Sequence, residues 1–484
     1  MTTTRTIEVE ATLVGSDYKT SGPVAITISD GCISEIETLQ DKPFGPRRFA
    51  MPALADAHNH ARPLSTTSFG AGFKPLETWL PSLAAMPAVD PYLAALASFG
   101  RSALGGCTSV MVHLTRPMGR NGIVSEAKDI ARAAKDVGVK IGFALSMRDQ
   151  NPLTYRDHEN ILSNLSAQEQ EFVTSTWLQP MPSVEQQLLN INDIAKALEN
   201  ESHVDVQYGP AGVQWCSKDL LRKIADASAR TGRRIHMHML ETLPQRVWAD
   251  ESFPGGVLPY LDSLGILSDR LTFAHCVWAR SDELRLLGSK SATISVNPSS
   301  NLHLASGIAN AAEMAKSGVK IAMGLDGCAF DEDDDALREM RLFRLLNQGW
   351  AFSEGLSPQQ TLQAVCKTGR QSLGIQQGGT IEVGMPADLL LLDLDALDRD
   401  AVMAIDPIQF LFTRANNDSI VEVISDGETI VLDGALATLD LGAIQAELRN
   451  TYRENMAQSK EFFDNWSRLE PLLNEHYQCY AGCC

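Results

Sequence analysis

Two histidines separated by one residue, His58 and His60, close the largely apolar run of residues 51–57. On an extended strand, side chains alternate faces, so positions i and i+2 point the same way. Two imidazoles at that spacing converge on one point, as neighbouring ligands of a metal ion must. A second such pair, His236 and His238, is followed by Glu241. His275 ends the short apolar stretch Thr272-Phe273-Ala274, and Asp326 follows Met323-Gly324-Leu325. Taken singly, each has an ordinary reading. His275 is then a satisfied core imidazole, Asp326 a turn residue before Gly327, and Glu241 a first-turn acid of the next helix. Taken together, in this order along the chain, they point to a metal site.

What must position them is a repeating scaffold. Apolar runs at residues 108–113, 139–145, 204–208, 234–239, 271–274, 292–296 and 319–323 join the His58 strand to make eight predicted strands. Helix-like segments lie between them, such as 125–137, 218–231, 282–287 and 310–317. Eight strand–helix units predict a (β/α)8 TIM barrel in the α/β class, with a doubly wound sheet as the alternative. In a barrel the strand C-termini open on one face, where catalytic residues collect. Histidines from strands one, five and six and an aspartate from strand eight can therefore meet. Short β-type runs with turn signals flank this region on both sides, among them 24–28, 32–36, 379–383, 387–393, 419–425 and 429–432. The expected organisation is a composite β-sandwich from residues 1–50 and 376–440, a catalytic barrel over 51–375, and a helix with its tail over 441–484.

These motifs resemble those of the amidohydrolase superfamily, specifically the deaminase branch with the S-adenosylhomocysteine/methylthioadenosine deaminases and the triazine hydrolases. The carriers are MPALADAHNH for strand one, HMHMLE for strand five, FAHC for strand six, NPSSNLHLASG for strand seven and GLDGCA for strand eight. GTIEVGMPADLLLLD and VISDGETIVLDG resemble the flanking sandwich strands. The resemblance runs through nearly the whole chain in order. It implies one divalent metal ion, zinc or alternatively iron, held by His58, His60, His238 and Asp326. It implies that His275 stands beside the metal, bonded to water or substrate, that Glu241 shuttles protons, and that His236 packs behind the ligands. Residues 204–209 contain no lysine, in keeping with one metal rather than a carbamate-bridged pair.

The chemistry agrees with that pattern. An ion with three nitrogen ligands and one carboxylate keeps a position for water and brings its pKa towards about 7. Asp326 is placed to take the water's proton, His275 to steady the developing oxyanion, and Glu241 to protonate a ring nitrogen and then the leaving amine. The expected activity is hydrolytic deamination of a small nitrogen heterocycle. Hydrolysis of an acyclic C–N bond in a urea, carbamate or amide is the alternative. A non-catalytic scaffold is disfavoured because all six site residues are retained.

Candidate substrate contacts are Arg62 and Trp79 after strand one, Arg148 with Gln150 after strand three, Trp215 after strand four, and Asn301 and His303 after strand seven. His113 reads as core. The acidic run 331–335 reads as a solvated loop or helix start, and Ala53 replaces the more usual glycine of the strand-one motif.

Composition narrows the classes further. The chain has 484 residues, 44% hydrophobic and 21% charged, with a formal net charge of −19. That charge argues against nucleic acid or an anionic membrane as partner, since both call for clustered Lys and Arg. No signal-peptide core and no membrane-length apolar run is present. Nine cysteines are too sparse for a disulfide framework, and Cys107, Cys276, Cys328 and Cys366 lie in apolar runs. A cytoplasmic location is expected. A homodimer or larger homo-oligomer is implied by the resemblance. The cysteines of the tail, 479–484, read as those of a frayed terminus.

Overall fold

The computed structural model describes residues 4–119, 121–156, 158–327, 333–456 and 459–480. Eight parallel strands form the barrel: β1 (Leu54–Asp56), β2 (Cys107–Leu114), β3 (Lys140–Met147), β4 (Val204–Pro210), β5 (Ile235–Met239), β6 (Leu271–His275), β7 (Thr293–Val296) and β8 (Lys320–Met323). Each pairs with its neighbours in sequence order. The cylinder is drawn shut between β8 and β1, where Ala57 N donates to Met323 O at 2.9 Å and Asp326 N to His58 O at 2.7 Å. A parallel strand is covered on both faces, which is why β2 is buried at every position and reads as an uninterrupted apolar run. The outer helices show the complementary pattern. Ile123–Val137 buries Ala127, Ile130, Ala131 and Ala134, one stripe of a 3.6-residue period.

Strands from both flanks of the barrel share a seven-stranded sheet. In it Leu389–Asp393 lies between Arg48–Pro52 and Ile420–Ser425. A three-stranded sheet of Thr4–Val9, Val24–Ser29 and Cys32–Thr38 packs against it. Ile7, Val9, Ile26 and Ile33 meet Ala50, Leu389 and Ile424 in a core separate from that of the barrel. The fold is thus a (β/α)8 barrel with a small β-sandwich built from both flanking segments. Their junction is electrostatic. Buried Arg370 pairs with Asp388 and donates to Thr108 Oγ1 at 3.0 Å, and Lys140 Nζ approaches Asp388 Oδ2 to 3.1 Å.

Three expectations need correction. Residues 379–383 are not a strand. Gly379 and Gly384 adopt φ of 75° and 88°, and the segment is held by single bonds such as Gly15 N to Ile381 O at 3.1 Å rather than a ladder. The helical region after 440 is two helices, Leu441–Met456 and Lys460–Tyr480. The first histidine pair falls beyond β1 rather than on it.

Within the acidic run, Asp334 is buried against Arg101 at 3.2 Å and Asp335 caps the helix Ala336–Asn347. Asp331, Glu332, Cys328 and the tail 481–484 lie outside the described residues. Cys107, Cys276 and Cys366 are buried free thiols. No described helix is long and apolar enough to cross a membrane.

Candidate metal centre and active-site pocket

The loop after β1 owes its shape to Asp56. Its carboxylate accepts His58 N at 3.2 Å, Leu325 N at 2.9 Å and Asn59 Nδ2 at 2.6 Å. Asn59 Oδ1 in turn accepts His60 N at 2.7 Å and Ala61 N at 2.9 Å. These side-chain bonds join the backbone bonds of Ala57, His58 and Asn59 to Met323, Asp326 and His113 in fixing the loop that carries both imidazoles. The loop after β8 fits tightly against this one. A Cβ on Gly324 would lie 2.8 Å from His58 N, and one on Gly327 would lie 2.6 Å from Asn59 Oδ1. Asp326 and His275 both take left-handed backbone, with φ of 61° and 75°. Such strain in non-glycine residues concentrates at functional sites.

His58, His60 and Asp326 lie together. His60 Nε2 lies 2.9 Å from Asp326 Oδ1, and His58 Nε2 lies 3.3 Å from the same oxygen. His60 Nδ1 donates to His113 O at 2.7 Å and His238 Nδ1 to Ala211 O at 2.8 Å. Those bonds select the tautomer that leaves each Nε2 lone pair free for a metal. His58 Nε2 is buried and makes no hydrogen bond. Ser300 Oγ donates to Asp326 Oδ2 at 2.5 Å, fixing the carboxylate. His58, His60 and Asp326 offer donor atoms within 4.8 Å of one another, and His238 does so with His58 and His275, a donor chemistry that fits a divalent ion.

Electrostatics sort the acids. Burial pushes the Asp326 carboxyl up, but the charges and hydrogen bonds of His58 and His60 outweigh it and hold Asp326 well below the carboxylate range. Glu241 goes the other way. Burial raises it well above the usual range, and the charges of Asp326 and Glu77 add to the shift. His58 is pushed down to about 3, chiefly by burial, and so stays neutral as a ligand must. Glu241 Oε2 stands 3.5 Å from His275 Nε2, and Ser306 Oγ donates to Glu241 Oε1 at 3.4 Å. His275 Nδ1 donates to Asn301 Oδ1 at 2.9 Å.

A cavity of about 360 Å³ opens over this cluster. His60, His238, Glu241, His275 and Asp326 form its floor, and Arg62, Trp79, Arg148 and Trp215 stand in its walls. Arg62 Nη1 donates to Asp326 O at 2.9 Å and to Gly327 O at 3.2 Å, and its guanidinium lies 4.8 Å from the Trp79 ring centroid. Burial lowers Arg148, and no described carboxylate pairs with it. Asn301 stands behind His275 instead of lining the cavity. His303 packs on Phe73, with ring centroids 5.0 Å apart, also away from the lining. His113 is buried within β2, and His236 lies behind His58.

Sequence reasoning missed several residues. Asp56 and Ser300 sit inside the quoted motifs and could have been read from them. Glu77, Arg116, Tyr155 and Tyr477 line the cavity from segments without a motif.

Residues 49–430 match the model of the amidohydrolase family. Over 255 residues the chain is 29% identical to a 5'-deoxyadenosine deaminase of Methanosarcina barkeri, covering 52% of this chain and 58% of that protein. Over 241 residues it is 31% identical to a 5-methylthioadenosine/S-adenosylhomocysteine deaminase of Nitratidesulfovibrio vulgaris, covering 50% and 54%. These matches thus span little more than half the length of either relative. Among solved structures, an adenosine deaminase from Xanthomonas campestris with bound zinc superposes with a TM-score of 0.77 at 22% identity, covering 94% of this chain and 98% of that one. An atrazine chlorohydrolase from Arthrobacter aurescens complexed with zinc gives 0.71 at 20% identity, covering 92% and 99%.

Proposed function

Since the chain belongs to the amidohydrolase family, we propose that it is a metal-dependent aminohydrolase that releases ammonia or an amine from a ring carbon of a small nitrogen heterocycle. The observation that carries this reading is the placement of Glu241 Oε2 3.5 Å from His275 Nε2, on the pocket side of the histidine–aspartate cluster. A ring nitrogen needs a proton as its neighbouring carbon is attacked, and a buried, protonated carboxyl is the donor for that step.

His58, His60, His238 and Asp326 would hold the ion, with zinc favoured by its presence in the two similar structures. When bound, such an ion supplies Lewis-acid polarisation and acidifies water. Asp326, ionised and fixed by Ser300, accepts a proton from the attacking water. Glu241 donates its proton to the ring nitrogen, regains one from the hydroxyl of the addition intermediate and passes it to the leaving amine. Asp326 then returns the water's proton to Glu241 to reset the site. His275, anchored through Nδ1 by Asn301, keeps Nε2 facing Glu241 and the reacting oxygen. Arg148 offers an unpaired guanidinium to an acceptor-rich or anionic substituent. Arg62 is spent on the carbonyls of Asp326 and Gly327 and so acts on substrate through its Trp79 stack and its charge.

The test is an ammonia-release screen over purines, adenosine-type nucleosides, pterins and triazines, with metal content measured on the same preparation. Turnover of one heterocycle class by metal-loaded protein is expected, and His238→Ala should lose both metal and turnover. Cleavage of aryl ureas or carbamates with no heterocycle turned over would replace this reading by acyclic C–N hydrolysis.

A further inference from the structure

Glu77 is a buried carboxylate in the wall of the cavity, and among the described residues no cationic group forms an ion pair with it. The nearby Lys74 is committed to Glu470 of the last helix. Burial raises the Glu77 carboxyl, and hydrogen bonds from neighbouring hydroxyls oppose that shift. The two hydroxyls come from two other loops. Tyr155 Oη donates to Glu77 Oε1 at 3.0 Å, and Thr242 Oγ1 donates to the same oxygen.

Each donor leads further. Thr242 caps the helix Leu243–Ser252 by accepting Gln245 N at 3.3 Å, and Gln245 Oε1 accepts the backbone N–H of Glu241 at 2.8 Å. On the other side, Tyr155 N donates to Tyr477 Oη at 3.2 Å, with the two rings edge to face at 5.2 Å. Tyr477 belongs to Lys460–Tyr480, a helix far from the barrel motifs in sequence, and it lines the same cavity. A continuous set of hydrogen bonds therefore runs from the last helix, through the loops after β1, β3 and β5, to the backbone of the proposed proton donor.

We propose that Glu77 is a positioning residue that sets the placement of Glu241, and that Tyr477 brings the last helix into the active site by holding Tyr155 on Glu77. This rests on the reading of Glu241 as the proton donor. The action is mechanical. With both donors on Glu77 Oε1, the cap at Thr242 is locked, Gln245 is locked by the cap, and the Glu241 main chain is held by Gln245. A loose supporting shell leaves a catalytic group present but misplaced, at a cost in kcat rather than in binding.

Four full-length variants test this: Glu77→Met, Glu77→Gln, Tyr155→Phe and Tyr477→Phe. Two readouts are used, steady-state kinetics and hydrogen–deuterium exchange of the peptide carrying Glu241 to Gln245. Glu77→Met and Tyr155→Phe should lower kcat about tenfold with KM held within about threefold, and should speed exchange in that peptide. Glu77→Gln keeps an acceptor oxygen and should recover most of the lost kcat and the slow exchange. Tyr477→Phe should speed exchange around Tyr155 and move kcat in the same direction by less. Unchanged exchange at Glu241 to Gln245 in Glu77→Met would overturn the proposal. So would an equal loss of kcat in Glu77→Met and Glu77→Gln, because charge and not positioning would then be at work. Full activity in Glu241→Gln would instead sink the proposed function, and the exchange readout would still decide the relay.

Discussion

His58 Nδ1 lies 2.9 Å from His236 Nε2, and the two rings stack with centroids 5.0 Å apart and planes 10° from parallel. In the proposed metal site, His236 would be the partner that orients the ligand His58. Its second nitrogen, Nδ1, is buried without a hydrogen bond, and burial lowers the ring well below its ordinary pKa. A neutral histidine in that place fixes the ring angle of His58 and leaves Nε2 pointing at Asp326.

His236→Phe keeps the bulk and removes the hydrogen bond. It should weaken metal affinity about 10- to 100-fold while all four ligands remain. Competition with a chromogenic chelator measures this, and an unchanged affinity would show that His58 needs no such partner.

Glu241 should act as an acid that is protonated at neutral pH, because burial and the charges of Asp326 and Glu77 raise it. The working form is lost as pH rises through that raised pKa, so kcat/KM should fall on the alkaline side. Glu241→Gln should lower kcat by about 10²- to 10⁴-fold and abolish this limb. A variant that keeps the same alkaline limb would assign it to another group.

Arg148 should report on the substrate. Arg148→Met retains the apolar stem and removes the guanidinium. If the substituent it faces is an acceptor, KM should rise about tenfold with kcat little changed. A fall in kcat at constant KM would place Arg148 in the chemical step instead.

The sandwich and barrel should come apart more easily without Asp388. Burial raises this carboxyl, but Arg370 and Lys140 outweigh that and bring it below its ordinary value. A depressed folded pKa gives stability that is present above the unfolded pKa, about 3.9, and is lost as pH falls through the folded value. Asp388→Asn leaves Arg370 buried without its counter-charge and should cost about 3–5 kcal/mol at neutral pH. Urea melts at pH 7 and pH 3 check both statements. The gap between wild type and variant should narrow at the lower pH.

The barrel was legible because parallel strands buried on both faces leave apolar runs, and because a site at strand ends leaves polar residues where those runs stop. Asp326 and His275 were found in that way. The roles of Asn301 and His303 were not legible, since they depend on a helix. Both sit on Pro298–His303, where residues two apart point to well-separated directions. Asn301 turns to His275 and His303 to Phe73. Glu77, Tyr155 and Tyr477 left no signal at all. Each is an ordinary residue of its own segment, and contacts such as the packing of Phe462, Trp466 and Leu469 with Leu153, Ile161 and Val173, and the ion pair of Lys74 with Glu470, bring those segments together.

The bond from Leu325 N to Asp56 joins residues 269 positions apart. The two loops that hold His58 and Asp326 therefore cannot settle while the chain is still being synthesised through the barrel. Until strand eight has emerged and docked, the loop of His58 and His60 lacks the backbone donor that Asp56 accepts there, and the carboxylate partner of both imidazoles is missing. On the proposed ligand set, His58, His60 and Asp326 come together only once the barrel has closed, so metal loading and completion of the fold should be timed together.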